Sequence, residues 1–352
     1  MAVKNERITY IDAMRGLAML MVVVSHCCDG CFFYQPIYNT LINHALQIPL
    51  FFFISGFFVS RLTQRNFLNT MAERFRHLVI PALLMLGFFC WVFSKDYIEA
   101  LFLSMKMGYW FTLVLFGYIT LYLIIDKTAH KLRLSAQSAT IVHVIVALGI
   151  SYASLASDRF DGSYHVLSLL SIKEYFSYFY LMIGALMFKH RTMLCNVLNN
   201  SNIIGGGSIV LSVILQTSMT LYGTAYLGYG AGLTILCLRT VELTIIWALF
   251  HKYSALSTTS RFGHILSFIG QRSLDVYFIH YFFLPSHLQS WGIYFAEINA
   301  PFIAYLCAIA LSIPLIAASL GVGSILRLSP FTTELFLGVK RIRNKQIQPA
   351  NE

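Results

Sequence analysis

An all-α integral membrane protein, built as a bundle of about ten transmembrane helices with both termini cytoplasmic, is the architecture this sequence predicts. Three observations carry that prediction. Of the 352 residues 57% are hydrophobic and only 11% are charged, a balance outside the range of water-soluble domains. The apolar residues fall into stretches long enough to cross about 30 Å of hydrocarbon. The basic residues concentrate in every second segment between those stretches.

Taken in order, the apolar stretches cover 11–28, 44–60, 78–93, 109–125, 139–157, 175–188, 203–221, 231–250, 274–295 and 302–325. The second contains Pro49 and the sixth is short, so these two are the ones expected to tilt or break. With the amino terminus inside, nineteen of the 25 Lys and Arg residues lie on the cytoplasmic side, four lie outside, and Arg15 and Arg239 remain within spans. The four outside are Lys95, Lys106, Arg159 and Lys173. A bias of this size sets orientation, and it puts His26 toward the outer face. Residues 1–352 read as one polytopic domain with a basic cytoplasmic tail from about 327 to 352. Between the eighth and ninth stretches, residues 261–269 have the pattern of a short amphipathic helix on the cytoplasmic surface.

Several function classes drop out. The formal charge of +10 follows membrane topology rather than a basic, aromatic-interleaved face, so nucleic acid is not the expected partner; the lipid bilayer is. The seven cysteines lie mostly inside apolar stretches and form no disulfide framework. His26-Cys27-Cys28-Asp29 with Cys31 matches a metal site only loosely, because adjacent cysteines rarely converge on one ion; no metal is expected. The first stretch has no small-residue cleavage site and carries Arg15, so it reads as a retained span.

Ionisable groups inside spans cost free energy and are functional candidates by default. Arg15 and His26 stand eleven residues apart in the first stretch. At 3.6 residues per turn they share nearly one face, about 16 Å apart along the axis, so one long ligand reaches both. Imidazole titrates near neutrality and serves as a general base; guanidinium binds phosphate bidentately and stays charged. An ion pair with Asp12 would equally account for Arg15, and a hydrogen bond at the membrane boundary for His26. Arg74 and Arg76 head the third stretch at the same surface as Arg15, where positive-inside bias also explains them.

Arg239 and Glu242 lie three apart on the eighth stretch and either form a buried ion pair or turn Glu242 toward His26 or an acceptor. On the ninth, Tyr277 and His280 share a face, and His280 is the internal rival to His26 as base. Ser55-Gly56 allows close approach of a ligand or a neighbouring helix. Trp110, in Tyr109-Trp110-Phe111, belongs to an interfacial aromatic belt or to a sugar-stacking platform.

Together these residues make the chain resemble acyltransferase family 3, the membrane O-acyltransferases of bacterial glycans, in the short form without an extra soluble domain. The resemblance rests on Arg15-Gly16 and His26, on Phe52-Phe53-Ile54-Ser55-Gly56-Phe57, on Arg74 and Arg76 before Pro81, on Tyr109-Trp110-Phe111, and on Ser273-Leu274 with Tyr277 and His280. It implies a ten-helix enzyme of the bacterial inner membrane. Such an enzyme moves an acyl group, usually acetyl, from cytoplasmic acetyl-CoA or another acyl-CoA to a hydroxyl of a surface glycan or lipid-linked saccharide. His26 matches the family's essential histidine, and Arg15, Arg74 and Arg76 match its arginines. Some members carry Trp-Ser-Leu and a following glutamate at the fourth span; here the segment is Trp110-Phe111-Thr112-Leu113 with no acid nearby, as in the short polysaccharide and lipid-linked-glycan acetylases. Whether Glu242 takes that role stays open. A proton-coupled glycan exporter, with His, Arg and Glu as an intramembrane relay, is the alternative from another class.

Overall fold

The first helix, α1 (Thr9–His26), runs directly into a π-helical segment, Cys27–Phe32, and the two make one apolar rod of 24 residues. This computed structural model describes residues 8–157, 168–169, 171–191 and 230–339. A second π-helical segment, Asn39–His44, leads into α2 (Ala45–Val59), which carries Pro49 without losing continuity. Pro49 has no N–H to give to the Ala45 carbonyl, and the π-helical turn immediately before α2 is where the register loosens. The third rod joins α3 (Phe67–Arg74), a π-helical turn at Phe75–Val79 and α4 (Ile80–Val92), which has Pro81 in its first turn.

After α5 (Tyr97–Phe102) come α6 (Phe111–Lys131), α7 (Ala136–Ser157), α8 (Tyr178–Lys189) and α9 (Gly230–Lys252). The chain then makes α10 (Leu256–Thr259), α11 (Arg261–Gln271), α12 (Ser273–Ile279), α13 (Gln289–Glu297), α14 (Pro301–Leu326) and α15 (Pro330–Leu337).

Seven helical rods among the described residues are long and apolar enough to cross a membrane: Thr9–Phe32, Asn39–Leu62, Phe67–Val92, Phe111–Lys131, Ala136–Ser154, Thr234–Lys252 and Pro301–Leu326. They correspond to seven of the ten expected stretches. The stretch 203–221 lies outside the described residues, as do Lys4, Arg7, Arg159 and the end of the basic tail from 340 onward. The sixth is α-helical over the 12 residues of α8, about 18 Å at 1.5 Å per residue, preceded directly by a 3₁₀ helix at Ile172–Ser177.

The ninth stretch departs from expectation. It is no through-going helix: α12 gives way to a 3₁₀ turn at His280–Phe283, and the helix resumes only at α13. The cause is Pro285, which drives the residue before it out of the helical region; Leu284 is extended, with ψ 114°.

Helix α1 is the most enclosed rod and packs against α2, α11 and α14. Its contact with α11 is backbone against backbone. A Cβ at Gly16 would fall on the Leu266 carbonyl, and one at Gly270 on the Asp12 carbonyl. This is the expected amphipathic helix, with Ser260 Oγ capping its start by accepting from the Gly263 N–H at 2.9 Å. Its far side shows Phe262, Ile265 and Phe268 to the surroundings. Helices α2 and α8 meet in the same close manner through Gly56 and Gly184, so the glycine of Ser55-Gly56 serves helix packing.

Candidate functional site

A cavity of about 720 Å³ runs along one face of α1. Arg15, Met19, Val22 and His26 line it in succession, spaced at three to four residues, and Asp29 continues the row into the π-helical segment. The guanidinium of Arg15 and the imidazole of His26 therefore open into one space, as their spacing anticipates. Opposite walls come from Ser55 on α2, Trp110, Tyr277 on α12, Tyr281 and Arg239 on α9.

His26 is held by a residue that sequence reasoning passed over. Tyr281 Oη lies 2.9 Å from His26 Nε2, and the two rings are 5.0 Å apart. Tyr281 is four residues after Tyr277, so helical spacing placed it on the same face; the signal was present. Its ring fits because residue 108 is glycine. Gly108 has φ +99°, and a Cβ there would overlap the phenol of Tyr281. The turn around Gly108 is fixed by Lys106, buried, whose Nζ donates to Leu103 O at 3.1 Å, Ser168 O at 2.8 Å and Ser171 Oγ at 3.0 Å. Burial pulls the Lys106 ammonium down to about 8.

Tyr277 lines the cavity with its hydroxyl already engaged, donating to Gly108 O at 3.0 Å and accepting from the Phe111 N–H at 3.2 Å. It ties α12 to the start of α6. The foot of α12 is tied in turn by Asp275, fully buried, which accepts two hydrogen bonds of 2.7 Å from Arg327.

His280 is fully buried behind this wall and does not line the cavity. Its Nδ1 donates to the Val276 carbonyl at 2.7 Å, and its ring lies 5.3 Å from that of His26. Arg239 reaches the cavity and donates to Glu242 Oε2 at 2.8 Å; Glu242 itself stands off the cavity wall, buried beside its cation. Ser55 Oγ donates back to the Phe51 carbonyl at 2.8 Å and presents only its lone pairs. Trp110 has one edge on the cavity and packs among Phe52 and Phe111.

The guanidinium of Arg15 lies over the ring of Phe58, 5.4 Å from its centre. Arg74 and Arg76 do not share the cavity with Arg15. Leu78, two residues beyond Arg76, is on the wall, whereas Arg76 is exposed and Arg74 keeps an enclosed Nε with no hydrogen-bond partner. The thiols of Cys27, Cys28 and Cys31 are buried and free, and no group of three or more His, Cys, Asp or Glu side chains among the described residues is placed to hold a metal.

The arrangement offers an imidazole held at one nitrogen, a cation at the opposite end, and an apolar wall between. That suits a long ligand with an anionic end and a reactive tip. Residues 8–320 match a protein-family profile described as an acyltransferase domain. No curated protein and no solved structure gives a significant match.

Proposed function

The chain belongs to acyltransferase family 3, and from that premise we propose that it is a transmembrane O-acyltransferase of the bacterial inner membrane, with both termini cytoplasmic. It takes an acyl group, acetyl in the simplest case, from cytoplasmic acyl-CoA and delivers it to a hydroxyl of a surface or lipid-linked glycan. The observation that carries this reading is the single cavity reaching from Arg15 to His26.

In this proposal the phosphates of the coenzyme rest against Arg15 at the inner mouth, with Arg74 and Arg76 on the neighbouring rod drawing the anion in. The thioester lies at the outer end beside His26. In the tautomer that has Nε2 donating to Tyr281 Oη, Nδ1 is the ring nitrogen that accepts the proton of the acceptor hydroxyl. The alkoxide oxygen bonds to the thioester carbonyl carbon, the carbon–sulfur bond breaks, and the proton on His26 passes to the departing thiolate. General-base assistance of this kind is worth about 10²–10⁴-fold. Arg239, steadied by Glu242, supplies positive charge toward the developing oxyanion.

The test is purified protein with a panel of acyl-CoA donors, read by thiol release and by the mass of the esterified acceptor. Thiol release and ester formation that disappear in His26→Ala support the proposal. Unchanged acylation in His26→Ala sinks it, and lost glycan export with acylation intact favours the exporter.

A further inference from the structure

Three polar groups meet on the outer wall of the cavity, beyond His26, and nothing in the reaction above uses them. Asp29 Oδ2 is 3.0 Å from His44 Nε2, and Ser25 Oγ is 3.4 Å from that carboxylate oxygen and 3.3 Å from the same imidazole nitrogen. All three residues line the cavity.

Behind them stands a supporting chain. Asn39 Nδ2 donates to Asp29 Oδ1 at 3.3 Å, Asn43 Nδ2 to Asn39 Oδ1 at 2.9 Å, and Tyr305 Oη to Asn43 Oδ1 at 3.2 Å. Asn39 and Asn43 are fully buried. A half-exposed ion pair contributes only about 0–1 kcal/mol on its own, so fold stability gives no reason to bury two amides behind this one. The groups sit on the two π-helical segments, Cys27–Phe32 and Asn39–His44, or next to them; π-helical turns are rare and concentrate at functional sites.

We infer that Asp29 and His44 bind a second hydroxyl of the acceptor, next to the hydroxyl that His26 deprotonates, so that the enzyme selects a vicinal diol. A hydroxyl gives one hydrogen bond and accepts others. A hydroxyl that inserts between Asp29 Oδ2 and His44 Nε2 gives its hydrogen to the carboxylate and accepts the imidazole N–H now directed at it. Asp29 lies three residues after His26 on the same rod and lines the same cavity, so a ring that presents one hydroxyl to His26 turns its neighbouring hydroxyl toward the carboxylate. Asn39, Asn43 and Tyr305 are positioning residues that hold the carboxylate for this contact. The inference rests on the acyl transfer proposed above and adds the class of acceptor.

The test uses full-length protein with acetyl-CoA and three probes: cyclohexanol, cis-1,2-cyclohexanediol and trans-1,2-cyclohexanediol. The wild-type enzyme is expected to prefer one diol over cyclohexanol by at least about 10-fold in kcat/KM, since a site built for a hydroxyl discriminates against its absence. Asp29→Asn and His44→Gln are each expected to bring that ratio close to one while the cyclohexanol rate stays within about threefold, the loss being confined to the contact removed. His44 is part-exposed, so His44→Gln provides the reading should Asp29→Asn fail to fold. Variants that keep the diol preference, or that lose all three alcohols alike, overturn the inference. Wild-type transfer without preference for either diol overturns it and leaves the acyltransferase reading standing. Absence of transfer to every probe and every acyl-CoA removes both.

Discussion

Tyr281 Oη and His26 Nε2 are 2.9 Å apart, although 255 positions separate the residues in the chain. The contact joins the end of α1 to the broken ninth stretch and engages Nε2 of the imidazole.

Tyr281→Phe keeps the ring that packs against Gly108 and deletes the hydroxyl. A single hydrogen bond is worth about 0.5–1.5 kcal/mol net, so kcat is expected to fall about 10-fold, with KM for acyl-CoA unchanged and the melting temperature within a few degrees. Steady-state kinetics with thiol detection check this. Full activity in Tyr281→Phe would remove Tyr281 from the machinery.

Gly108→Ala places a methyl group where the Tyr281 ring lies and forces alanine into φ +99°. A loss of roughly 1–3 kcal/mol of stability is expected from the strained backbone, together with a kcat lower than that of Tyr281→Phe because the ring itself is displaced. Thermal unfolding in detergent and activity at a permissive temperature separate the two effects.

Lys106 binds its proton less tightly in the folded protein, at about 8 against an ordinary 10.5. Between those values the unfolded chain holds more protons than the folded one, so this group's contribution to stability rises with pH across that window and is least favourable below it. Lys106→Met loses the contribution and leaves Leu103 O, Ser168 O and Ser171 Oγ without their donor. The variant is expected to melt lower than wild type at pH 7, and the gap is expected to widen toward pH 10. A gap that narrows as pH rises would contradict the assignment.

Arg239 and Glu242 are both largely buried at a 2.8 Å contact. Removing one member of such a pair costs about 3–5 kcal/mol, whereas replacing both with apolar residues is often neutral. Arg239→Met is therefore expected to unfold well below wild type, and the double variant Arg239→Met with Glu242→Leu to recover most of the loss. Activity in the double variant then reports whether the cation assists the chemistry.

How much of this was legible beforehand depends on the range of the interaction. The face shared by Arg15 and His26 follows from helical spacing alone, and so does the Arg239–Glu242 pair, three residues apart. The amphipathic helix of residues 261–271 was visible in its local pattern. Contacts between remote segments were not: spacing from Tyr277 puts Tyr281 on the same face but does not name His26 as its partner, and Asp29 and His44 meet through the fold of the two π-helical segments. The break in the ninth stretch was not read from its hydropathy, although Pro285, the residue that causes it, stands in the sequence. Arg74 and Arg76 were grouped with Arg15 by their membrane level, which says nothing about which side of a rod faces the cavity.

The interruption after α12 lies among buried residues, where side chains supplement the backbone hydrogen bonds. Tyr109 Oη donates to the Phe278 carbonyl at 3.1 Å, and the Val276 carbonyl, which already accepts the His280 backbone N–H, takes a second hydrogen bond from His280 Nδ1. Tyr109 and His280 thus each serve a backbone carbonyl beside the break. Substituting either residue is therefore expected to cost stability whatever it does to the chemistry.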